Sequence, residues 1–381
     1  MRQFLQTDRI SGMHAGNGKT YIIAEIGTSH GGSLKKAYAL IDAAAESGAD
    51  CVKFQWVYAK EILHPDTGYV ALPGGKIRLY DRFLELEEPV SFYKKCAAYA
   101  RKKKLDFGCS PFGIKSLHQL WKLNPDMIKI ASPELNHFPM LKELIKLEDR
   151  KKAGKKIPVI ISSGVSKAED IKKAVELLSP HIPELTLLHC ITSYPAPEEE
   201  YNLSLIGNLK NEYKINCGVS DHSLDPLMVP AISVYAGGTC IEKHITLSKE
   251  TDGLDDPVAL TPSQFKEMTL FVRSIEDKAP ELQKAELFKA FGEEKCLKIL
   301  GSGIKELAPS EKDNYNRTNR SIHYLKAMKA GSRIRRKDIA VLRTEKELSP
   351  GISPEFFEEV IGKRLKTDVT AGSGLLFEHL Q

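Results

Sequence analysis

Short apolar runs alternate with longer amphipathic segments along most of the chain, starting at Tyr21. The runs are rich in β-branched and aliphatic residues, as in buried strands, and the segments between them have helical periodicity. Eight runs fit a strand: residues 21–27, 51–56, 105–112, 127–132, 157–164, 185–192, 215–223 and 240–246. Helix-like segments cover residues 33–48, 90–103, 113–123, 138–147, 166–178, 203–213, 226–235 and 261–277. This alternation predicts a closed (β/α)8 TIM barrel.

An open, doubly wound α/β sheet is the competing architecture, because it uses the same alternation of parallel strands and helices. Two features disfavour it. The first strand is followed by GTSHGGS, which lacks the spacing of a dinucleotide fingerprint, and polar residues stand at the C-terminal ends of nearly all the strands. Barrel enzymes place their chemistry at that end.

The strand–helix rhythm stops at about residue 280, which sets the predicted domain boundaries. A chain of 381 residues exceeds what one hydrophobic core usually supports. We assign residues 1–280 to the barrel and the charged, irregular residues 281–317 to a linker. Residues 318–381 consist of short β-like runs punctuated by Gly and Pro, and we predict a compact small domain there.

Charge and composition exclude several classes of protein. The chain carries 55 basic and 50 acidic residues, and its basic runs are short and scattered, which disfavours nucleic-acid binding. No stretch is long enough to cross a bilayer, and the first 20 residues lack an apolar core of signal-peptide length. The seven cysteines occur singly and predict reduced, packed thiols. We therefore expect a cytoplasmic protein without a membrane partner.

Two histidines, His222 and His244, stand at the ends of the seventh and eighth predicted strands. Since the C-terminal ends of barrel strands meet at one mouth, the two imidazoles would face a shared space and could hold a divalent metal ion. The spacing alone leaves open that both are structural. Two imidazoles would leave several coordination positions for water or substrate.

Lys53 and Lys129 lie at the ends of the second and fourth predicted strands. Two ammonium groups, together with nearby serine hydroxyls, would suit a phosphate-bearing substrate. Two alternatives stay open. Each lysine could pair with a carboxylate such as Glu25 or Glu134, or one of them could form a Schiff base, as in lyase barrels.

Three carboxylates and a tyrosine are further candidates. Glu25 and Glu134 could bind a sugar hydroxyl or transfer a proton. Asp255 lies in a loop, where a turn or helix-cap role is the ordinary interpretation. Tyr194, in SYPAP, could stack or donate a hydrogen bond, or simply pack in its loop.

Motifs along nearly the whole chain resemble the signature of the sialic acid synthase family. They include AEIG, VKFQ, KIASPEL, LLHCITSYPAPEEEYNL, GVSDHS and IEKHITL. The later NRSIHYLKAMKAGSRIRRKDIAVLR is similar to the antifreeze-like (SAF, β-clip) domain that follows the barrel in these enzymes. The resemblance implies condensation of phosphoenolpyruvate with an open-chain N-acetylmannosamine or related N-acyl amino sugar, assisted by Mn²⁺ or Mg²⁺, with release of phosphate.

The resemblance also implies roles for individual residues. His222 and His244 would be the metal ligands, and Glu25, Lys53 and Asp255 would be catalytic. The phosphoenolpyruvate pocket would comprise Lys53, Gln55, Ser110, Lys129, Ser132, Ser162 and Ser220. The amino sugar would be contacted by Glu134, Tyr194, Asp255 and Arg320. Arg320 would reach the acyl group of the sugar from the partner subunit of a domain-swapped homodimer.

Two departures from the family pattern fall on the sugar side. The loop often read as GPDH is GLDD here, and the doubled arginine before Ser is Asn319 followed by Arg320. The acceptor therefore stays open between N-acetylmannosamine and the diacetamido-dideoxyhexoses used by legionaminic and pseudaminic acid synthases. A Schiff-base aldolase and a non-catalytic carbohydrate-binding protein are the alternatives from other classes.

Overall fold

The computed structural model describes residues 19–72, 75–151, 156–250, 253–345 and 347–381, so most of the N-terminal segment considered above lies outside the described residues. Eight parallel strands close into a barrel in chain order, and the last of them pairs with the first. The predicted TIM barrel is confirmed. Its strands are β1 Tyr21–Gly27, β2 Cys51–Trp56, β5 Asp106–Pro111, β6 Met127–Ile130, β7 Val159–Ser162, β8 Leu185–Cys190, β9 Asn216–Asp221 and β10 Cys240–His244.

Helices follow all the barrel strands and cover the barrel with their apolar faces. Start signals in the sequence explain several boundaries. Thr261 caps the last of the barrel helices, because its hydroxyl accepts from the backbone N–H of Gln264, and Pro262 occupies the first turn. The helices are α1 Leu34–Glu46, α2 Ala59–Ile62, α3 Leu79–Leu84, α4 Val90–Lys102, α5 Ile114–Lys122, α6 Phe138–Asp149, α7 Ala168–Leu178, α8 Ser204–Tyr213, α9 Met228–Tyr235 and α10 Pro262–Ile275.

An excursion between β2 and α4 was not predicted from the sequence. It contains the short helices α2 and α3 and an antiparallel pair of strands, β3 Tyr69–Leu72 and β4 Gly75–Arg78. These elements are too short to show a clear period in the sequence. The excursion brings Phe83 of α3 to the barrel mouth.

The prediction of an irregular linker over residues 281–317 was wrong for its first half. Helices α11 Pro280–Phe291 and α12 Glu293–Leu300 occupy that half and pack against α9. Gly292 and Gly301 end these helices with positive φ angles, which glycine adopts without strain. Helix α11 buries few side chains, so its apolar pattern is weak, and α12 is only 8 residues long. Further on, Glu311 is buried and accepts from the backbone N–H groups of Val165 and Thr192 at 2.6 and 2.7 Å, which fixes the segment to the barrel mouth.

The C-terminal domain has a small core of its own. Strands β11 Arg320–Tyr324 and β12 Ile339–Arg343 pair antiparallel, and a short helix, α13 Phe357–Val360, lies beside them. The buried core includes Ile322, Tyr324 and Leu375. Asn319 joins this domain to the barrel, because its side-chain amide donates to the carbonyl of Val165 at 2.8 Å. In the part of the chain that the structure describes, no helix has both the length and the apolarity needed to span a membrane.

Candidate active site

An apolar layer fills the lower part of the barrel interior. Its residues come from the inward-facing positions of six strands: Tyr21, Ile23, Cys51, Met127, Ile160, Leu188 and Cys240. Because side chains alternate along a strand, the residues two positions later face the same interior, nearer the C-terminal mouth. These residues are Glu25, Lys53, Lys129, Ser162, Cys190 and Glu242, and all of them line one cavity of about 210 Å³.

Charged side chains form a linked network in this cavity. Lys53 Nζ lies 2.7 Å from Glu25 Oε2 and 3.7 Å from Glu242 Oε2, and it donates to Ser110 Oγ at 3.2 Å. Lys129 Nζ lies 3.6 Å from Glu242 Oε1, which also accepts from the Ser220 hydroxyl at 2.9 Å. Glu242 therefore bridges the two lysines. The pairing of Lys53 with Glu25, one of the alternatives left open by the sequence, is present, and Glu242 is a further partner of Lys53 that sequence reasoning did not name.

Burial and neighbouring charges move the pKa values in this network in different directions. Burial raises the pKa of Glu25 to about 7, although Lys53 acts against the shift. Burial also acts to raise the pKa of Glu242, but Lys129 and Lys53 outweigh it and lower the value to about 2. The pKa of Lys53 is raised, since the two carboxylates outweigh its burial, whereas burial lowers the pKa of Lys129. At neutral pH, Glu242 is ionised and Glu25 is close to its midpoint.

His222 and His244 line the same cavity, with their ring centroids 5.6 Å apart. His222 Nδ1 lies 2.8 Å from the carbonyl oxygen of Ile191. Since a carbonyl oxygen only accepts, Nδ1 carries a proton and Nε2 is the nitrogen available for a ligand. Burial acts to lower the pKa of His222, but the adjacent Cys190 and the bond to Ile191 outweigh it and raise the value to about 9, so a cation that binds Nε2 would displace a proton from this ring. Burial lowers the pKa of His244 to about 4, so this ring is neutral at pH 7.

The donor set at these histidines fits a divalent cation. His244 Nδ1 is buried without a hydrogen-bond partner among the described residues, and Asp255 Oδ2 lies 3.8 Å from it. Imidazole nitrogens are common ligands of first-row divalent metals. Within the described ranges, no group of three or more His, Cys, Asp or Glu residues is arranged to hold a metal. The protein would therefore supply two imidazoles and leave the other positions to water and substrate.

Tyr194 covers the histidine pair from the mouth. Its ring stacks on His222 at a centroid distance of 4.1 Å, and its hydroxyl lies 3.1 Å from His222 Nε2. Cys190 Sγ lies 3.8 Å from the other ring nitrogen of His222, Nδ1. All seven cysteines are free and buried, as expected, but Cys190 has a histidine neighbour that the sequence did not indicate.

The C-terminal domain contributes to the cavity differently from the expectation. Among the described residues that line the cavity, Thr318 and Arg343 are present, whereas Arg320 and Glu134 are not. Arg320 is fully buried in its own chain, where it donates to Glu134 Oε1 at 2.9 Å and to the Phe112 carbonyl at 2.7 Å. Arg343 also donates to Glu134 Oε1, at 2.8 Å. In this chain Arg320 thus contacts its own barrel behind the cavity. A domain-swapped dimer stays a prediction.

Most of the residues named from the sequence lie together in the cavity. They are Glu25, Lys53, Gln55, Ser110, Lys129, Ser132, Ser162, Tyr194, Ser220, His222, His244 and Asp255. Gln55 donates to Glu25 Oε1 at 2.9 Å, and Ser132 Oγ accepts from the backbone N–H of Gly164 at 3.0 Å. Sequence reasoning gave no role in this site to Cys190, Glu242, Leu254 or Arg343. The alternation of strand residues indicates the first two, because each stands two positions after a residue of the apolar layer.

Comparisons with known proteins agree with this architecture. The NeuB family model matches residues 40–284, and the SAF domain model matches residues 319–381. Spore coat polysaccharide biosynthesis protein SpsE of Bacillus subtilis (strain 168) is 33% identical over 364 residues, which are 94% of this chain and 93% of that protein. Its crystal structure is similar with a TM-score of 0.79 over 95% of each chain, at 32% identity.

Two further relatives carry the names of sialic-acid-type synthases. N,N'-diacetyllegionaminic acid synthase of Campylobacter jejuni (serotype O:2) is 31% identical over 355 residues, covering 91% of this chain and 95% of that protein. The crystal structure of N-acetylneuraminic acid (sialic acid) synthetase from Leptospira borgpetersenii has a TM-score of 0.61 and 27% identity, covering 72% of this chain and 93% of that chain. The family match to the barrel and the SAF match to the C-terminal domain stand in the order that the sequence motifs predicted. The chain therefore belongs to the NeuB family and ends in a SAF domain.

Proposed function

We propose that this protein is a nonulosonic acid synthase, which condenses phosphoenolpyruvate with an N-acyl amino sugar and releases phosphate. The observation that carries the proposal is the single cavity in which Lys53 and Lys129 lie beside His222 and His244. The two ammonium groups suit a phosphate and a carboxylate, and the two imidazoles suit a cation next to them. The names of the relatives support a sugar acid as the product.

The phosphoenolpyruvate would lie over the apolar layer, against the lysines. Lys53 is held between Glu25 and Glu242, which keeps its ammonium group charged and fixed. Ser110, Ser162 and Ser220 add hydroxyl groups around the same space. A buried, fully formed anion site of this kind orients the substrate without reorganisation during the reaction.

The amino sugar would occupy the mouth of the cavity, between Tyr194, Asp255 and Arg343. Two nitrogens of Arg343, Nε and Nη2, donate to Glu134, which fixes the guanidinium plane beside the pocket. The Phe112 ring lies under the guanidinium, with its centroid 5.5 Å from Arg343 Cζ. We assign Arg343 to the acyl group of the acceptor, the role that resemblance gives to Arg320.

In the proposed reaction, C3 of phosphoenolpyruvate attacks the aldehyde carbon of the open-chain sugar and forms the new C–C bond. Water then adds to C2, and the C2–O bond to phosphate breaks, so the products are a 2-keto acid and inorganic phosphate. A divalent cation at His222 and His244 would polarise the aldehyde oxygen. Glu25, with its pKa near 7, can accept or donate a proton at neutral pH.

The proposal is tested by incubating the purified protein with phosphoenolpyruvate, Mn²⁺ and a panel of 2-acetamido and 2,4-diacetamido hexoses. We expect phosphate and a 2-keto acid to form in equal amounts with at least one sugar. His244→Ala should abolish this turnover without unfolding the barrel. Full turnover in that variant after removal of metal would refute the metal-assisted reaction.

A Schiff-base aldolase is the alternative that a second measurement can separate. The raised pKa of Lys53 disfavours it as an amine nucleophile, which leaves Lys129, whose pKa is lowered by burial. Borohydride added with pyruvate would label Lys129 if the aldolase were correct. A protein that neither releases phosphate nor becomes labelled, but binds the sugars, would be a carbohydrate-binding protein.

A further inference from the structure

A buried ion pair lies directly behind the two histidines of the proposed metal centre. Lys243 Nζ is 2.6 Å from Asp221 Oδ2, and both side chains have an exposed fraction of 0%. Among the described residues that line the cavity, neither is present. Side chains alternate along β9 and β10, so Asp221 and Lys243 face away from the interior into which His222 and His244 project. The pair is therefore outside the substrate space.

This ion pair also binds the residue on the far side of His222. Lys243 Nζ donates to the carbonyl oxygen of Ser223 at 2.6 Å and lies 3.3 Å from its hydroxyl. Asp221 Oδ1 accepts from the backbone N–H of Ser223 at 2.8 Å. All three hydrogens of the ammonium group have acceptors, and both carboxylate oxygens have donors. One lysine of β10 thus holds the chain on both sides of His222.

The regular pairing between β9 and β10 ends before the histidines. The last paired residues in this register are Asp221 and Lys243. His222 is the next residue after β9, and its backbone N–H donates to Tyr201 Oη at 2.7 Å rather than to β10. His244 pairs with Glu25 of β1, on the other side. The contacts of Lys243 with Asp221 and Ser223 therefore connect β9 to β10 at the point where the backbone pairing of the two strands has ended.

We propose that Asp221 and Lys243 are positioning residues, which set the separation and orientation of the two imidazoles for the cation. The inference rests on the proposed metal centre at His222 and His244. A buried ion pair gives no more stability than well-packed apolar side chains of similar volume. An apolar pair could not bind Ser223, however, so stability and metal affinity can be separated by substitution.

The test measures binding of Mn²⁺ alone to the metal-free protein by calorimetry, and the absorption spectrum of the Co²⁺-loaded protein. Lys243→Met leaves Asp221 as an unpaired buried charge, so it should lower both the melting temperature and the affinity. The double variant D221L/K243M should recover the melting temperature but keep an Mn²⁺ affinity about 10–100-fold below that of the unaltered protein. Its Co²⁺ bands should shift, because the coordination geometry has changed.

The matched control is another ion pair, at 3.1 Å, between Arg273 of α10 and Glu276, the residue that follows the helix. The variant R273M/E276L should change the melting temperature without changing the Mn²⁺ affinity or the Co²⁺ spectrum. Asp221→Asn, which nearly preserves the side-chain volume, provides a milder second test and should also weaken Mn²⁺ binding.

Affinity and spectra equal to those of the unaltered protein, in either D221L/K243M or Asp221→Asn, would overturn the inference and make the pair a packing feature. If the unaltered protein fails to bind Mn²⁺, the metal centre of the proposed function is itself refuted, and this inference with it.

Discussion

Arg320→Met removes a side chain that bonds the C-terminal domain to the barrel at several points. The guanidinium donates to Glu134 Oε1 from Nε and Nη2, at 3.1 and 2.9 Å. It also donates to the carbonyl oxygens of Glu61 and Phe112, at 2.6 and 2.7 Å. The side chains of Arg320 and Glu134 both have an exposed fraction of 0%. Methionine fills a similar volume but donates no hydrogen bond.

The expected loss of stability follows from these contacts. Removing one partner of a buried ion pair costs about 3–5 kcal/mol, and a carbonyl left without a donor costs about 1–3 kcal/mol. Arg343 still donates to Glu134 in the variant, so the lower part of the range applies to the carboxylate. With about 3 kcal/mol lost at the carboxylate and about 1–3 kcal/mol at each of the two carbonyls, the variant should lose at least about 5 kcal/mol. At roughly 2–4 °C per kcal/mol for domains of moderate size, the melting temperature should fall by at least about 10 °C.

The assay is thermal unfolding followed by calorimetry, with Arg364→Met as the control. Arg364 is exposed and donates to the Gly331 carbonyl at 2.8 Å, so its replacement should change stability by less than about 0.5 kcal/mol. An Arg320→Met variant that has the melting temperature of the unaltered protein but a raised KM for the sugar would refute the reasoning. Arg320 would then be an acceptor contact, as the family resemblance implies.

Three further predictions concern the cavity. Lys129→Met should raise the KM for phosphoenolpyruvate by about 10–100-fold, because it removes a hydrogen bond from a charged group, and should have little effect on the KM for the sugar. Equal effects on both KM values would contradict the assignment. Arg343→Met should raise the KM for the sugar with little effect on the KM for phosphoenolpyruvate. A change confined to the KM for phosphoenolpyruvate would count against the assignment of Arg343 to the sugar. Glu25→Gln should remove a pH dependence of stability. Because the pKa of Glu25 rises from 4.5 to about 7 on folding, its contribution is complete below pH 4.5 and is lost as the pH rises through 7. The measured quantity is the free energy of unfolding in urea of the unaltered protein minus that of the glutamine variant. This difference should fall by about 3 kcal/mol as the pH rises over that range, and a constant difference would refute the raised pKa.

The barrel was predictable because its signal repeats. Each strand combines a short run of β-branched residues with a following amphipathic helix, and eight repeats leave few alternative folds. Helix α11 was missed because it buries few side chains, among them Gln283 and Leu287, and so shows little periodicity. Helix α12 has an amphipathic pattern but is only 8 residues long. The short elements between β2 and α4 lack a readable period because of their length.

The site was predictable where a residue follows directly from its place on a strand. Lys53 and Lys129 lie within barrel strands, His244 ends one, and all three were found in this way. Arg343 belongs to a different domain, separated from the barrel strands by long stretches of chain. No spacing in the sequence indicates that it meets the cavity while Arg320 lies behind it. Contacts between domains depend on how the surfaces of two folded domains pack, and the local pattern of apolar and polar residues carries no information about that packing.

The two carboxylates beside Lys53 illustrate how position divides similar groups between different tasks. Glu242 faces both lysines and stays ionised, so it can hold their ammonium groups but cannot supply a proton at neutral pH. Glu25 has Lys53 as its one cationic partner in the network, and burial keeps its pKa near 7. An anionic substrate arriving at the lysines would raise that pKa further, because like charges disfavour ionisation. In the proposed reaction, Glu25 would therefore hold a proton when phosphoenolpyruvate is bound and lose it more readily once phosphate has left.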